Sequence, residues 1–290
     1  MLTIIGTVPD ESFPLCHGPA ALEGGNLLVD GLSVPVNRGT PALLGAAIAA
    51  SQTINGPEIY AMLVGDTGTG RGSRKLYRFL AEAPEACGSY RTPTTLTFHY
   101  LQPDVDWHNK VLFAVDALPK RPLLIADAGF MYAAKMSGQA RAYDMFTPDA
   151  GELAFLADDM APHPFYTRGF ILNQHNNLPE LILQAWKHDN AADYLLVKGG
   201  TDHVARQGKI IESVDSPSEP AMEAIGGTGD TLTGLVSVLC AMGIAPARAG
   251  LAAARANRLA GSLAAPTPAT QVMELIKKIP RALNRVGIMD

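Results

Sequence analysis

The sequence predicts an α/β chain built on a largely parallel sheet, with an antiparallel hairpin at one edge. Short apolar runs alternate with longer Ala-rich stretches, the rhythm of successive βα units. That rhythm breaks at Tyr194–Ser213, where LLVKG, TDHVA, RQGK and IIES follow one another around a tight Gln207-Gly208 turn, a hairpin pattern. With 290 residues, 47% hydrophobic and 18% charged, the chain can bury a core without disulfides or metals. Folds of this class often reach such a length as one domain, so a single domain over 1–290 is expected.

Along the chain, the short apolar runs read as strands are Leu27–Val29, Ile59–Val64, Thr95–Tyr100, Pro122–Ala126, Met145–Thr147 and Tyr194–Val197. The longer stretches read as helices are Pro41–Gln52, Ser73–Glu82, Trp107–Ala117, Leu178–Lys187, Asp230–Met242, Pro246–Ala264 and Pro268–Ile279. The last helix is expected to open with Thr267 as cap and Pro268 at its first position, and to pack through Val272, Leu275, Ile276 and Ile279. Asp158–Gly169 and Asp215–Pro220 are rich in turn formers and read as surface loops or lids, because periodic segments resume directly after each.

A net charge of -5 and the lack of a basic stripe argue against duplex nucleic acid as a partner. Cys16, Cys87 and Cys240 are far apart and show no CxxC spacing, which fits a reducing cytoplasm rather than a disulfide scaffold or zinc site. The N-terminal MLTIIGTVPDE lacks the pattern of a signal peptide, and no apolar stretch reaches the length of a membrane span. The seven histidines show no metal spacing, and His163, His175 and His188 read as surface residues.

Chemistry concentrates in five places. Ile225-Gly226-Gly227-Thr228-Gly229-Asp230 is a Gly-rich turn running into an amphipathic helix. The amides of Gly227, Thr228 and Gly229 can converge there on an anion, with Asp230 beside it to accept a proton from an attacking hydroxyl. The plainer alternative is a tight turn with a capping residue. Asp149 and Glu152, three apart at a helix start, can hold Mg²⁺ through waters or simply form a capping box. Lys198-Gly199-Gly200-Thr201 ends a strand and can meet a nucleotide; a hairpin turn is the alternative. Asp127 ends a buried strand, where ligands of open α/β sheets gather, or caps a loop. Gly65-Asp66-Thr67-Gly68-Thr69-Gly70 follows an apolar strand, but its spacing is wrong for a dinucleotide fingerprint, so a substrate-phosphate or lid loop around Asp66 fits better.

Taken together, IGGTGDTLTG, LIADA, TPDAGE and LLVKGGTDHVA resemble, in order and spacing, the ribokinase-like superfamily, most nearly its ADP/ATP-dependent NAD(P)H-hydrate dehydratase and carbohydrate kinase branch. The resemblance runs from about Leu123 to Val286, and the first 120 residues match weakly, through Asn37-Arg38-Gly39-Thr40-Pro41-Ala42. It implies a three-layer α/β/α fold with Asp230 as base and Gly227, Thr228 and Gly229 as anion hole. It further implies Glu152 at Mg²⁺, and Lys198–Thr201 with Asn257 near ATP or ADP. Asp127, Asp149 and Asp66 are then the candidates for the substrate side. Three departures stand out: Asp149 where the branch has His, His99-Tyr100-Leu101-Gln102-Pro103-Asp104 where it has a Gly-Pro-Gly loop, and Met222-Glu223-Ala224 where it has Asn and Pro. The leading expectation is a kinase that moves a phosphoryl group to a hydroxyl of a small metabolite. The alternative is the dehydratase, which phosphorylates the hydrate hydroxyl and then eliminates phosphate. A nucleotide sensor without turnover is the third reading. Self-association is left open.

Overall fold

Alternation along the strands dictates the layering. In the computed structural model, which describes residues 1–83, 93–167 and 177–287, the strands are β1 Leu2–Val8, β2 Cys16–Glu23, β3 Asn26–Val29, β4 Leu32–Pro35, β5 Ile59–Gly65, β6 Thr95–His99, β7 Leu123–Ala126, β8 Met145–Phe146, β9 Tyr194–Val197, β10 Asp202–Arg206 and β11 Lys209–Val214. On β1, Leu2, Ile4 and Val8 enter one core and Ile5 the other; on β5, Ile59, Ala61 and Leu63 face one way and Tyr60, Met62 and Val64 the other. Side chains of a strand point alternately to the two faces, so a sheet apolar on both must be covered on both.

The cover comes from two sets of helices. One core takes α1 Thr40–Thr53, α7 Thr228–Ala241, α8 Pro246–Ala264, α9 Val272–Ile276 and α10 Ile279–Val286. The other takes α2 Arg71–Glu82, α3 Val105–Asp116, α4 Ala128–Met136, α5 Ala150–Ala157 and α6 Leu178–Lys187. The result is the expected three-layer α/β/α arrangement. The sheet order is β11-β10-β9-β8-β7-β6-β1-β5-β2-β3-β4, with β9, β8, β7, β6, β1 and β5 mutually parallel. The β10–β11 hairpin is antiparallel, and its turn residues Gln207 and Gly208 have φ of 51° and 79°, as a tight hairpin turn requires.

Several elements depart from the sequence expectation. β1 lies in the middle of the sheet yet was not foreseen, and neither were β2, β4 and α4; of α5 only the start at Asp149 was read. The C-terminal helix expected over Pro268–Ile279 is two helices, and Thr267-Pro268 belongs to a turn in which the Thr267 amide donates to Thr270 Oγ1. Pro280 has no amide hydrogen to extend α9, so it opens α10 instead. The four apolar residues chosen for packing are buried as expected. α7 opens at Thr228, two residues before Asp230. Cys16 and Cys240 are buried free thiols; Cys87, His175 and residues 168–169 of the Asp158–Gly169 loop lie outside the described residues.

Two close approaches set the site. A Cβ on Gly234 of α7 would fall 2.3 Å from the Leu43 carbonyl oxygen, so glycine alone lets α7 and α1 touch backbone to backbone. A Cβ on Gly6 of β1 would lie 2.5 Å from Thr40 Oγ1 and 2.6 Å from the His99 carbonyl oxygen. These contacts bring the N-termini of α1 and α7 over the ends of β1 and β6.

Candidate active site

β6, β7, β8 and β9 end on one side of the sheet, and a cleft of about 860 Å³ lies there. Ligands of open α/β sheets bind in such a position. Its lining includes His99, Tyr100, Asp127, Asp149, Glu152 and Lys198, together with Gly199, Gly200, Asn257, Arg258 and the segment Gly227–Asp230.

The segment Gly227–Asp230 forms the first turn of α7. Gly227 caps it in the left-handed region, with φ 102°, wedged where a Cβ would sit 3.1 Å from Val272 and 3.3 Å from Arg38 Cα. The first bond of the helix runs from the Thr231 amide to the Gly227 carbonyl, at 2.9 Å. The amides of Thr228, Gly229 and Asp230 precede it and are the free donors of a helix start, where the partial positive charge favours an anion. The Thr228 hydroxyl is turned away, bonding to the Met222 and Ile225 carbonyls, so this residue offers its backbone only. Asn257 buttresses the turn: it accepts from Thr231 Oγ1 at 2.7 Å and donates to the Thr228 carbonyl at 3.1 Å.

Asp230 is held on both oxygens by residues far away in sequence. Oδ2 accepts the Gly39 amide at 2.6 Å, and Oδ1 lies 3.1 Å from His99 Nε2. Burial alone would push this carboxyl up, but the hydrogen bond and charge of His99, the charge of Lys198 and the Gly39 amide outweigh it and hold it below the usual carboxylate range. It is therefore an anion at neutral pH, the form a general base needs.

Asp127 caps α4 and is saturated: it accepts the Ala128 amide, Thr233 Oγ1 and, at 2.8 and 3.0 Å, the Lys198 ammonium. Burial works against the Lys198 charge, but Asp127 and Glu152 more than compensate and raise it, so the ammonium persists in the cleft. Its Nζ would lie 3.7 Å from a Cβ on Gly229, beside the amides of the α7 start. Two residues flanking the cleft adopt left-handed backbone without being glycine, Tyr100 (φ 54°) and Ala128 (φ 50°), a strain that clusters at functional sites.

Asp149 and Glu152 form the expected capping box of α5, each side chain accepting the other's amide at 2.8 Å. Capping does not exhaust them: Glu152 also accepts the Tyr132 hydroxyl at 2.8 Å, and both carboxylates line the cleft. Burial, with the charges of Asp127 and Asp149, outweighs Lys198 and pushes Glu152 up to about 7. Among the described residues no group of three His, Cys, Asp or Glu side chains could form a protein-only metal cage. Mg²⁺ does not ask for one: it keeps most of its waters and takes one or two carboxylates plus phosphate oxygens, and this donor pair fits that pattern.

The structure thus gathers Asp230, Gly227, Thr228, Gly229, Lys198, Gly199, Gly200, Asn257, Asp127, Asp149 and Glu152 around one cleft. It leaves two candidates out. Thr201 is not among the lining residues, at the turn into β10. Asp66 is folded into its own loop, where it accepts from the amides of Gly68, Gly70 and Ser73 and from Ser73 Oγ. Burial would raise its carboxyl, and those bonds hold it low instead.

Sequence reasoning missed His99, Tyr100, Gly39 and Arg258. Arg258, buried in mid-α8, pairs with Asp202 at 2.7 Å and donates to the Gly199 and Gly200 carbonyls at 2.8 and 2.9 Å, fixing the Lys198–Gly200 loop from behind. Nothing local marked it. The only signal for His99 and Tyr100 was their place in a segment that departs from the family. All three departures converge: Asp149, His99, Tyr100, Met222 and Glu223 line the same cleft.

The fold is that of the ribokinase-like class. The profile of the NAD(P)H-hydrate dehydratase family matches residues 103–281, and the chain belongs to that family. An uncharacterised protein of Methanocaldococcus jannaschii is 38% identical over 243 residues, covering 83% of this chain and 98% of that one. A match of that length has to take in most of the first 120 residues, where the family resemblance is weak. The bifunctional NAD(P)H-hydrate repair enzyme Nnr of Hyperthermus butylicus is 41% identical over 92 residues, 31% of this chain and 17% of that longer protein. The crystal structure of the ADP/ATP-dependent NAD(P)H-hydrate dehydratase of Bacillus subtilis, co-crystallized with ATP/Mg²⁺, superposes with a TM-score of 0.56 at 16% identity, over 98% of this chain and 89% of that one. These findings favour the dehydratase over the general metabolite kinase. No helix among the described residues is long and apolar enough to cross a membrane.

Proposed function

We propose that this protein is a nucleotide-dependent NAD(P)H-hydrate dehydratase, folded as one domain over 1–290, whose first step is phosphoryl transfer from ATP or ADP. The observation that carries the reading is the placement of an ionised Asp230 in the turn whose free amides start α7, with the Lys198 ammonium opposite. Asp230 takes the proton of the hydrate hydroxyl as that oxygen bonds to the terminal phosphorus and the bond from phosphorus to the leaving nucleotide breaks. The amides of Thr228, Gly229 and Asp230 and the Lys198 ammonium meet the charge spread over the transferring oxygens. Phosphate then departs with its C–O bond, the neighbouring carbon gives up a proton, and the ring double bond of the reduced nicotinamide returns. Asp149 and Glu152 are the residues suited to hold Mg²⁺, which when bound neutralises phosphate charge. The exposed ring of Tyr100 in the cleft, 44% accessible, offers a stacking face to a ring-bearing acceptor.

Incubation with NADH hydrate and ATP or ADP tests the reading: the absorbance of the reduced nicotinamide should return with either nucleotide and not without one. A second reading, a kinase for another hydroxylated metabolite, is favoured by the three family departures that line the cleft. It predicts nucleotide-dependent phosphorylation of a different acceptor and an inert hydrate.

A further inference from the structure

We propose that His99 is the positioning residue of the Asp230 base: it fixes the carboxylate from the side opposite Gly39. The reading of Asp230 as base underlies this, but the arrangement stands on geometry of its own. His99 ends β6 fully buried, so its ring cannot satisfy its nitrogens with water and must find protein partners. It has two. Nδ1 lies 3.0 Å from Thr40 Oγ1, at the first turn of α1, and Nε2 lies 3.1 Å from Asp230 Oδ1, at the first turn of α7. A hydroxyl can donate or accept, so Thr40 serves the ring whichever of its protonation states is present.

The choice of Asp230 over its rival is also built in. Asp127 Oδ2 is 3.8 Å from the same Nε2, beyond hydrogen-bond reach, and is already committed to Lys198 and Thr233. His99 is left to bond Asp230. Because the Gly39 amide occupies Oδ2, the carboxylate cannot turn, and its remaining lone pairs keep one direction towards the cleft. The charged and titratable groups facing this pair are Asp127 from the end of β7, Lys198 from the end of β9, Tyr100 beside His99, its ring edge-on at 4.3 Å, and Glu152 from the start of α5. Of these, His99 and Lys198 are the groups that lower the Asp230 carboxyl, through the His99 hydrogen bond and the charges of both.

The test needs no substrate, so it stands apart from the dehydratase reading: an inert hydrate would sink that reading and leave this one to be decided. Protein labelled with ¹³C at the aspartate carboxyls is titrated by NMR, with the Asp230 signal assigned by its loss in Asp230→Asn. The wild-type midpoint should lie below the ordinary range. In His99→Ala it should rise by about half a unit to one unit, the scale of one lost hydrogen bond. In His99→Gln, whose amide can donate from about the position of Nε2, it should fall back towards wild type. Thr40→Val, which strips the partner from Nδ1, should raise it less than His99→Ala. If His99→Ala fails to fold, His99→Leu, which keeps apolar bulk and removes the donor, takes its place, with the same rise expected. An Asp230 midpoint that stays put in every folded variant overturns the proposal.

Discussion

Two glycine-rich turns in this molecule look alike in sequence and do opposite things. Gly65–Ser73 and Ile225–Asp230 each lead into a helix and each carry an aspartate. In the first, Asp66 turns inward and takes the loop's own amides, those of Gly68, Gly70 and Ser73, together with the Ser73 hydroxyl. In the second, Asp230 is taken by the Gly39 amide and His99, and the amides at its own helix start stay free. A glycine-rich turn becomes an anion site when distant elements satisfy its carboxylate and leave its amides for a ligand.

Exchanging the two aspartates gives the largest contrast. Asp230→Asn should cut turnover of NADH hydrate by about 10²-fold or more while nucleotide affinity changes little. Asp66→Asn should leave turnover per folded molecule unchanged and lower unfolding stability by about 1–3 kcal/mol, the cost of disturbed buried hydrogen bonds. Wild-type turnover in the first variant would break the comparison.

The glycines divide in the same way. A Cβ on Gly72 would lie 1.9 Å from the Gly65 carbonyl oxygen, a contact backbone cannot yield. A Cβ on Gly229 meets nothing nearer than Lys198 Cδ at 3.5 Å. Gly72→Ala should therefore destabilise the fold by about 3 kcal/mol. Gly229→Val should melt close to wild type yet weaken nucleotide binding by roughly 10-fold or more, since its branches crowd the free amides and Lys198. Calorimetric titration with ATP beside a melting curve reads both; equal binding by Gly229→Val and wild type would remove the anion site.

Glu152→Gln probes a residue that caps and also lines the cleft. The Mg²⁺ concentration for half-maximal rate should rise several-fold, with a loss of about 1 kcal/mol or less of stability. An unchanged Mg²⁺ profile beside a lowered melting temperature would leave Glu152 a helix cap only.

The smallest effect concerns acid. Asp66 and Asp230 both have folded carboxyls held below the ordinary aspartate value of 3.8. Each contributes stability that is present above that value and is lost as pH falls through its lower folded value. Either Asp→Asn variant should flatten the acid limb of stability against pH, measured by urea unfolding at successive pH values. An acid limb as steep as wild type in both would contradict the shifts.

Residues that punctuate locally were legible. α6 and α8 fall at Leu178–Lys187 and Pro246–Ala264, as read, because a proline within the first two positions marks each start. The α5 capping box needed only an acid pair three residues apart. β1 was illegible because Leu2–Val8 is apolar on both faces and broken by Gly6, so it shows no alternation. α4 and α5, at nine and eight residues, are too short for a helical period to emerge from their apolar background.

The sequence by itself determined the α7 turn, its glycines and the place of Asp230, because a helix start is written within a few consecutive residues. Only the tertiary structure decided what holds that aspartate. Gly39 is 191 residues away and His99 131, and Lys198 reaches Asp127 across 71. Such partners meet because Gly6 and Gly234 let backbones approach and strand ends converge, and packing of that kind leaves no period or spacing in the chain.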